Sequence, residues 1–307
     1  MNSAVVFAYH DVGVRCLSVL LARGIDVRLV LTHDDNPSEH IWFGSVEKLA
    51  RRHRIKVIKP ADPNAADVVA ELRALRPAFL FSFYYRAMLG GAVVSLPTRG
   101  ALNMHGSLLP KYRGRVPVNW AIIHGESETG ASLHYMTVKP DAGDIVDRET
   151  VPILPDDTAL DVFRKVSVAA ELCLYRSVPR LLDGTAGAEV QDLSQGSYYG
   201  GRTAADGVIR WTQGAEQIHN LVRAVAPPYP GAAAAVGGRN LRVLRTVRAP
   251  EREAPFAAPT LYADGSELCV IAGDLKVLRI VELEVNGKPV DPAALAAQIS
   301  TTPIRLT

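Results

Sequence analysis

Residues 4–31 read AVVFAYHDVGVRCLSVLLARGIDVRLVL, and this stretch decides the fold. An apolar run of strand length, Ala4 to Ala8, meets a polar turn carrying Gly13. Apolar residues at helical spacing then run from about Val14 to Arg23 and stop at Gly24. A second strand-like run, Val27 to Leu31, follows at once. The same grammar continues: Ser45 to His53 reads as a helix, Lys56 to Ile58 as a strand, Ala65 to Leu75 as a helix and Ala78 to Phe81 as a strand. Such alternation implies crossover connections and a mostly parallel sheet with helices on both faces, an α/β, Rossmann-like architecture. The first turn, His10 to Gly13, lacks the GxGxxG phosphate-binding pattern, which excludes a dinucleotide dehydrogenase.

Further along, Thr158 to Leu182 reads as one long helix, and the Gly-, Ser- and Tyr-rich segment Gln195 to Gly201 reads as a linker or exposed loop. Beyond it the pattern changes. Ala232 to Val236, Leu241 to Thr246, Leu268 to Ala272 and Leu275 to Leu283 are short strand-like runs broken by Gly, Pro and Asp. Two domains are therefore expected, residues 1–200 and a smaller β-rich, OB-like domain over 201–307.

The bulk composition is that of an ordinary globular chain, with 48% hydrophobic and 21% charged residues among 307. A net charge of +2 argues against a nucleic-acid binder driven by overall charge. Cys16, Cys173 and Cys269 are far apart and form no CxxC pair. With no apolar window of membrane-spanning length and no signal-like start, a cytoplasmic enzyme is expected.

The chemistry gathers in ALNMHGSLLPKYRGRVPVNW, residues 101–120. Asn103 and His105 are two apart, so on an extended strand both side chains share one side. An amide can stabilise a developing oxyanion, and an imidazole can move a proton near neutral pH, a pairing suited to acyl transfer. In KPDAGD, residues 139–144, Asp141 stands before a small-residue turn and could support that imidazole. Taken singly, each cluster has an ordinary alternative, a loop cap for the first and a turn for the second. Tyr84 and Arg86 follow a strand at the same end of the sheet and are candidates for lining a substrate pocket, with packing as the alternative. Lys111, Arg113 and Arg115 form a basic run able to meet a diphosphate or simply to face solvent. His10, His33, His40, His53, His124, His134 and His219 show no metal-ligand spacing, and surface or core roles are expected for them.

HGSLLPKYRGR at His105 to Arg115, the Asn two residues before it and the DAGD about 35 residues after the His together resemble the 10-formyltetrahydrofolate-dependent formyltransferases. FAYHDVG at Phe7 to Gly13, FSFYYR at Phe81 to Arg86 and GRVPVNW at Gly114 to Trp120 further resemble the formyltransferase domain of the bifunctional aminoarabinose-modification enzymes of the ArnA type. The likeness runs from Val5 to about Gly238, and more loosely to the C-terminus. It implies that Asn103 holds the oxygen of the tetrahedral intermediate, that His105 is the general acid/base, and that Asp141 favours the protonated imidazole. It also implies folate contacts from Ala87, Met88 and Leu89 and from Thr137, Val138, Lys139, Pro140 and Asp141. Arg115 would be a further binding residue for donor and substrate. The implied co-substrate is 10-formyltetrahydrofolate, with no metal. The implied acceptor is a nucleotide-linked amino sugar, UDP-4-amino-4-deoxy-L-arabinose, with no nucleic acid and no membrane as partner.

Four other readings stay open, one of them a formyltetrahydrofolate hydrolase, which a water-accessible site would produce. A dTDP-linked amino-sugar N-formyltransferase shares the core, and a non-catalytic folate or nucleotide module would not need all of Asn103, His105 and Asp141. A methionyl-tRNA formyltransferase would carry a more basic C-terminal half, where Glu251, Glu253, Glu267, Glu282 and Glu284 here offset the arginines. The bifunctional enzymes carry a decarboxylase domain that does not follow here, so oxidative decarboxylation is expected to be absent.

Overall fold

The structure is a computed structural model describing residues 2–37 and 41–306. His40 lies outside the described residues. Contacts divide the chain into two compact units. The first comprises Met1–Pro117, Glu128–Val151 and Arg164–Gly200; the second comprises Val118–Ser127, Pro152–Phe163 and Gly201–Thr307.

The strands over the first 200 residues are β1 (Ser3–Ala8), β2 (Asp26–Leu31), β3 (Lys56–Ile58), β4 (Phe79–Phe83), β5 (Gly100–His105), β6 (Arg113–Gly114), β7 (Glu128–Tyr135), β8 (Ile145–Pro152) and β9 (Tyr198–Tyr199). Seven of them make one sheet in the order β3-β2-β1-β4-β5-β7-β8, while β6 and β9 pair separately. The run from β3 to β5 is parallel, and β7 joins β5 antiparallel. The helices are α1 (His10–Ala22), α2 (Val46–Arg52), α3 (Ala66–Leu75), α4 (Gly91–Val94), α5 (Pro117–Ile123) and α6 (Ala159–Asp183).

All six residues of β1 are buried, because alternate side chains serve opposite faces of the sheet. Val5 and Phe7, with Leu29, Leu31 and Leu80, pack against Val68, Val69 and Leu72 of α3 and Val93 of α4. Ala8 faces α1 on the other side. A Cβ added to Gly13 would lie 3.2 Å from the Ala8 Cβ and 2.9 Å from Val46 Cγ2 of α2. This corrects the expectation of a turn at Gly13: α1 begins three residues earlier, at His10, and Gly13 lets it press onto the sheet. The polar residues that resemble a turn are the helix's own first turn, where Asp11 accepts the Gly44 N–H at 2.7 Å. Ser45 caps α2 by accepting the Lys48 N–H.

The segment expected to be a linker or exposed loop, Gln195 to Gly201, contains β9, which pairs parallel to β6 with Arg113 opposite Tyr198 and Gly114 opposite Tyr199. Gly and Ser suggest freedom, but this segment's backbone groups are satisfied by residues about 85 positions away.

The second unit holds an antiparallel sheet formed by β10 (Ala232–Val236), β11 (Arg239–Arg248), β12 (Thr260–Asp264), β13 (Glu267–Ile271), β14 (Val277–Val285), β15 (Lys288–Val290) and β16 (Ile304–Arg305). Its order is β10-β11-β14-β13-β12-β16, with β15 paired to β14. Helices α7 (Ala215–Ala224) and α8 (Pro292–Ile299) belong to the same unit. The β-rich expectation holds, while β12, β15, β16 and both helices went unread in the sequence. No helix among the described residues is long and apolar enough to cross a membrane.

Candidate active site

The strand order reverses between β1 and β4, and in open sheets of this kind ligands bind beyond the carboxyl ends of the strands near that reversal. Asn103 and His105 lie at the end of β5 and turn to the same side, as a two-residue spacing requires. Asp141 receives both. Its Oδ1 lies 3.4 Å from Asn103 Nδ2 and 3.6 Å from His105 Nδ1, and its Oδ2 accepts the Gly114 N–H at 2.9 Å. His105 Nε2 donates to the Tyr112 carbonyl at 2.8 Å. His105 is only 6% exposed, so the imidazole sits in a sheltered, low-dielectric setting.

A fourth residue completes the cluster. His134 on β7 is paired directly opposite Asn103 across the antiparallel β5/β7 ladder. Its Nδ1 donates to the Tyr135 carbonyl at 2.8 Å, and its Nε2 lies 3.2 Å from Asn103 Nδ2 and 3.5 Å from Asp141 Oδ1. Burial would push the Asp141 carboxyl up, but His105, His134 and the Gly114 N–H outweigh burial and hold it well below the usual carboxylate range. The hub of the cluster is therefore an ionised carboxylate.

Other residues expected at the site spread around this hub. The Tyr84 hydroxyl lies against Gly106, where any side chain would clash, since a Cβ there would be 1.9 Å from it. Arg86 stacks its guanidinium 4.7 Å over the Tyr9 ring. Of the two segments expected to meet folate, Leu89 is buried in the core, whereas Met88 and Val138 are 61% and 79% exposed. Val138 Cγ2 comes within 3.7 Å of the Cβ position of Gly91, just beyond the first segment. Thr137 bonds to the Lys139 carbonyl within its own turn, Lys139 is exposed and Pro140 is half-buried; Ala87 is half-buried too. Arg115 is exposed, its N–H donating to the Tyr199 carbonyl. The basic run is not uniformly solvated as expected: Lys111 and Arg115 face out but Arg113 is buried, because the β6/β9 pairing turns alternate residues inward. Among the described residues no group of three or more His, Cys, Asp and Glu side chains is arranged to hold a metal ion.

A family model described as formyl transferase matches residues 14–178, and one described as formyl transferase, C-terminal domain, matches residues 202–299. The chain belongs to the formyl transferase family. This formyltransferase is similar in fold to an N-formyltransferase from Helicobacter canadensis crystallised with folinic acid and dTDP-3-aminofucose. The two share 20% identity at a TM-score of 0.74, over 91% of this chain and 98% of that one. A sugar 3N-formyltransferase crystallised with dTDP and 5-N-formyltetrahydrofolate matches at 17% identity and TM-score 0.72, over 94% and 99%. HypX from Aquifex aeolicus, in complex with tetrahydrofolic acid, matches at 16% and 0.62, over 97% of this chain and 47% of HypX.

The cluster around Asp141 includes two supports that the sequence did not reveal. His134 had been expected to serve on the surface or in the core; it joins the cluster because β7 runs antiparallel to β5. Its position seven residues before Asp141 carries no recognisable spacing. The segment 191–199 is the other. Gln191 Nε2 donates to the Gly143 carbonyl at 2.5 Å and to the Asp141 carbonyl at 3.2 Å, while Ser197 Oγ accepts the Tyr112 N–H at 2.9 Å. It thereby props both the Asp141 turn and the loop that holds His105.

Proposed function

We propose that the chain transfers the formyl group of 10-formyltetrahydrofolate to the amine of a nucleotide-linked sugar, UDP-4-amino-4-deoxy-L-arabinose. The observation that carries this is the convergence of Asn103, His105 and His134 on the ionised Asp141. Asn103 is the donor for the charge that collects on the formyl oxygen as the amine attacks. His105, backed by Asp141, takes the proton shed by the attacking nitrogen and passes it to the departing folate nitrogen. The donor supplies the formyl carbon, and the exposed Met88 and Val138 fit the flat apolar face of its pterin, with Ala87, Thr137, Lys139 and Pro140 completing that wall and Leu89 holding it from the core. Tyr84, Arg86 and Arg115 are assigned to the sugar nucleotide.

Family membership supports formyl transfer, and the sugar nucleotide in the Helicobacter canadensis complex supports an amino-sugar acceptor. That complex also favours a second reading, a dTDP-linked amino sugar. A small acceptor fits the second unit better than tRNA, since Glu267 pairs with Arg252 and Arg279, and Glu284 with Arg242. Competition decides the acceptor: turnover with 10-formyltetrahydrofolate is compared for UDP-4-amino-4-deoxy-L-arabinose, dTDP-amino sugars and initiator methionyl-tRNA. Faster turnover of any rival overturns the assignment.

A further inference from the structure

The segment from Arg86 to Gly90 leaves the carboxyl end of β4 and runs to α4 without belonging to a ladder, yet its backbone is held at both ends by side chains from elsewhere. At its start, the Arg86 N–H donates to Nε2 of His33 at 3.1 Å. His33 lies two residues past β2, its ring stacked on Tyr85 at 4.0 Å and edge-on to Tyr9 at 5.5 Å. At its end, Asn64 acts on two groups at once: Nδ2 donates to the Met88 carbonyl at 2.9 Å, and Oδ1 accepts the Gly90 N–H at 2.6 Å. That is the paired donor and acceptor a neighbouring strand would offer. Asn64 is itself oriented, since its backbone N–H and its Nδ2 both donate to Asp62 Oδ1, at 2.9 and 3.2 Å. Leu89 anchors the segment into the core from below.

We propose that His33 and Asn64 are positioning residues of the donor subsite, clamping the backbone of Ala87–Leu89 so that the folate meets a preformed surface. This rests on the assignment of Ala87–Leu89 to the donor made above. A segment fixed in advance loses less freedom on binding, so the clamp acts on donor affinity and not on the chemical step. The His33 half works only while Nε2 keeps its lone pair, because a protonated imidazole would set a donor against the Arg86 N–H. Burial and the Arg86 charge hold the His33 pKa below its ordinary value, favouring the neutral ring. Around it stand Arg86 on the Tyr9 ring, Tyr9 donating to Asp35 at 2.8 Å, Asp34 paired with Lys59 at 2.7 Å, and Tyr85, whose phenol burial and Asp62 push up to about 12. The clamp is complete above the ordinary histidine range and weakens as pH falls through the lowered value.

The test uses the full chain and the stable analogue 5-formyltetrahydrofolate. His33→Ala and Asn64→Ala are each expected to raise the analogue's Kd and the donor KM ~10-fold, leaving kcat, and for Asn64→Ala the amino-sugar KM, within about twofold. Asn64→Asp, which keeps the acceptor for Gly90 but not the donor for Met88, is expected to lie between. His33→Gln supplies an acceptor that does not titrate, so its affinity should hold as pH falls below the ordinary histidine range, where the native protein weakens. Unchanged Kd in both alanine variants overturns the proposal. Hydrogen exchange of the native protein separates this from failure of the underlying assignment. Amides 86–90 protected by the analogue, with unchanged variant affinities, refute the clamp alone, whereas no protection there refutes Ala87–Leu89 as donor contacts and the clamp with it.

Discussion

Replacing His134 with alanine tests whether the cluster acts as one unit. His134 is 2% exposed and reaches the reaction only through Asn103, whose Nδ2 lies 3.2 Å from its Nε2, and through Asp141 at 3.5 Å. Deleting a single oxyanion donor costs ~10²- to 10³-fold in kcat, which sets the ceiling for a residue that merely aims such a donor. A misaimed Asn103 retains part of its effect, so His134→Ala is expected to lower kcat by about 10- to 100-fold. The truncation also leaves the Tyr135 carbonyl without its partner, for about 1–3 kcal/mol of lost stability. Steady-state kinetics on the single variants and the Asn103→Ala/His134→Ala double variant, assayed below their melting temperatures, give the answer. If His134 works through Asn103, the double variant is about as slow as Asn103→Ala alone. Losses that simply multiply, or a native kcat in His134→Ala, would refute the reasoning.

His105→Ala and Asn103→Ala should each reduce kcat by ~10²-fold or more with donor affinity nearly unchanged; near-native turnover in either contradicts the assigned roles. Asp141→Asn tests the carboxylate hub through pH. A carboxyl held below its unfolded value adds stability that is present above pH ~4 and is lost as pH falls through the folded value. The native protein should therefore exceed Asp141→Asn in unfolding free energy at pH 7, and the gap should narrow below pH ~4. A gap that stays constant from pH 7 to pH 3 would show that the depressed carboxyl contributes nothing.

What the sequence determined by itself was whatever a few neighbouring residues decide. The apolar run of β1, the helical stretch of α2 and the bounds of β3 follow from local periodicity, and the same-side placement of Asn103 and His105 follows from the pleat of one strand. The ordered motif around them identified the chemistry. The tertiary structure decided what depends on pairing between distant segments. Gly13 looks like a turn residue until α1 is pressed against Ala8 and Val46, where only a missing Cβ permits the approach. Arg113 looks solvated until β9, about 85 residues later, pairs with β6 and turns it inward. His134 has no motif of its own; the antiparallel register of β5 and β7 sets it opposite Asn103. A side chain's type and neighbours in the chain limit what it can do, but its partner across a ladder is fixed only when the whole sheet closes, because register is a property of two strands and of the core that both must cover.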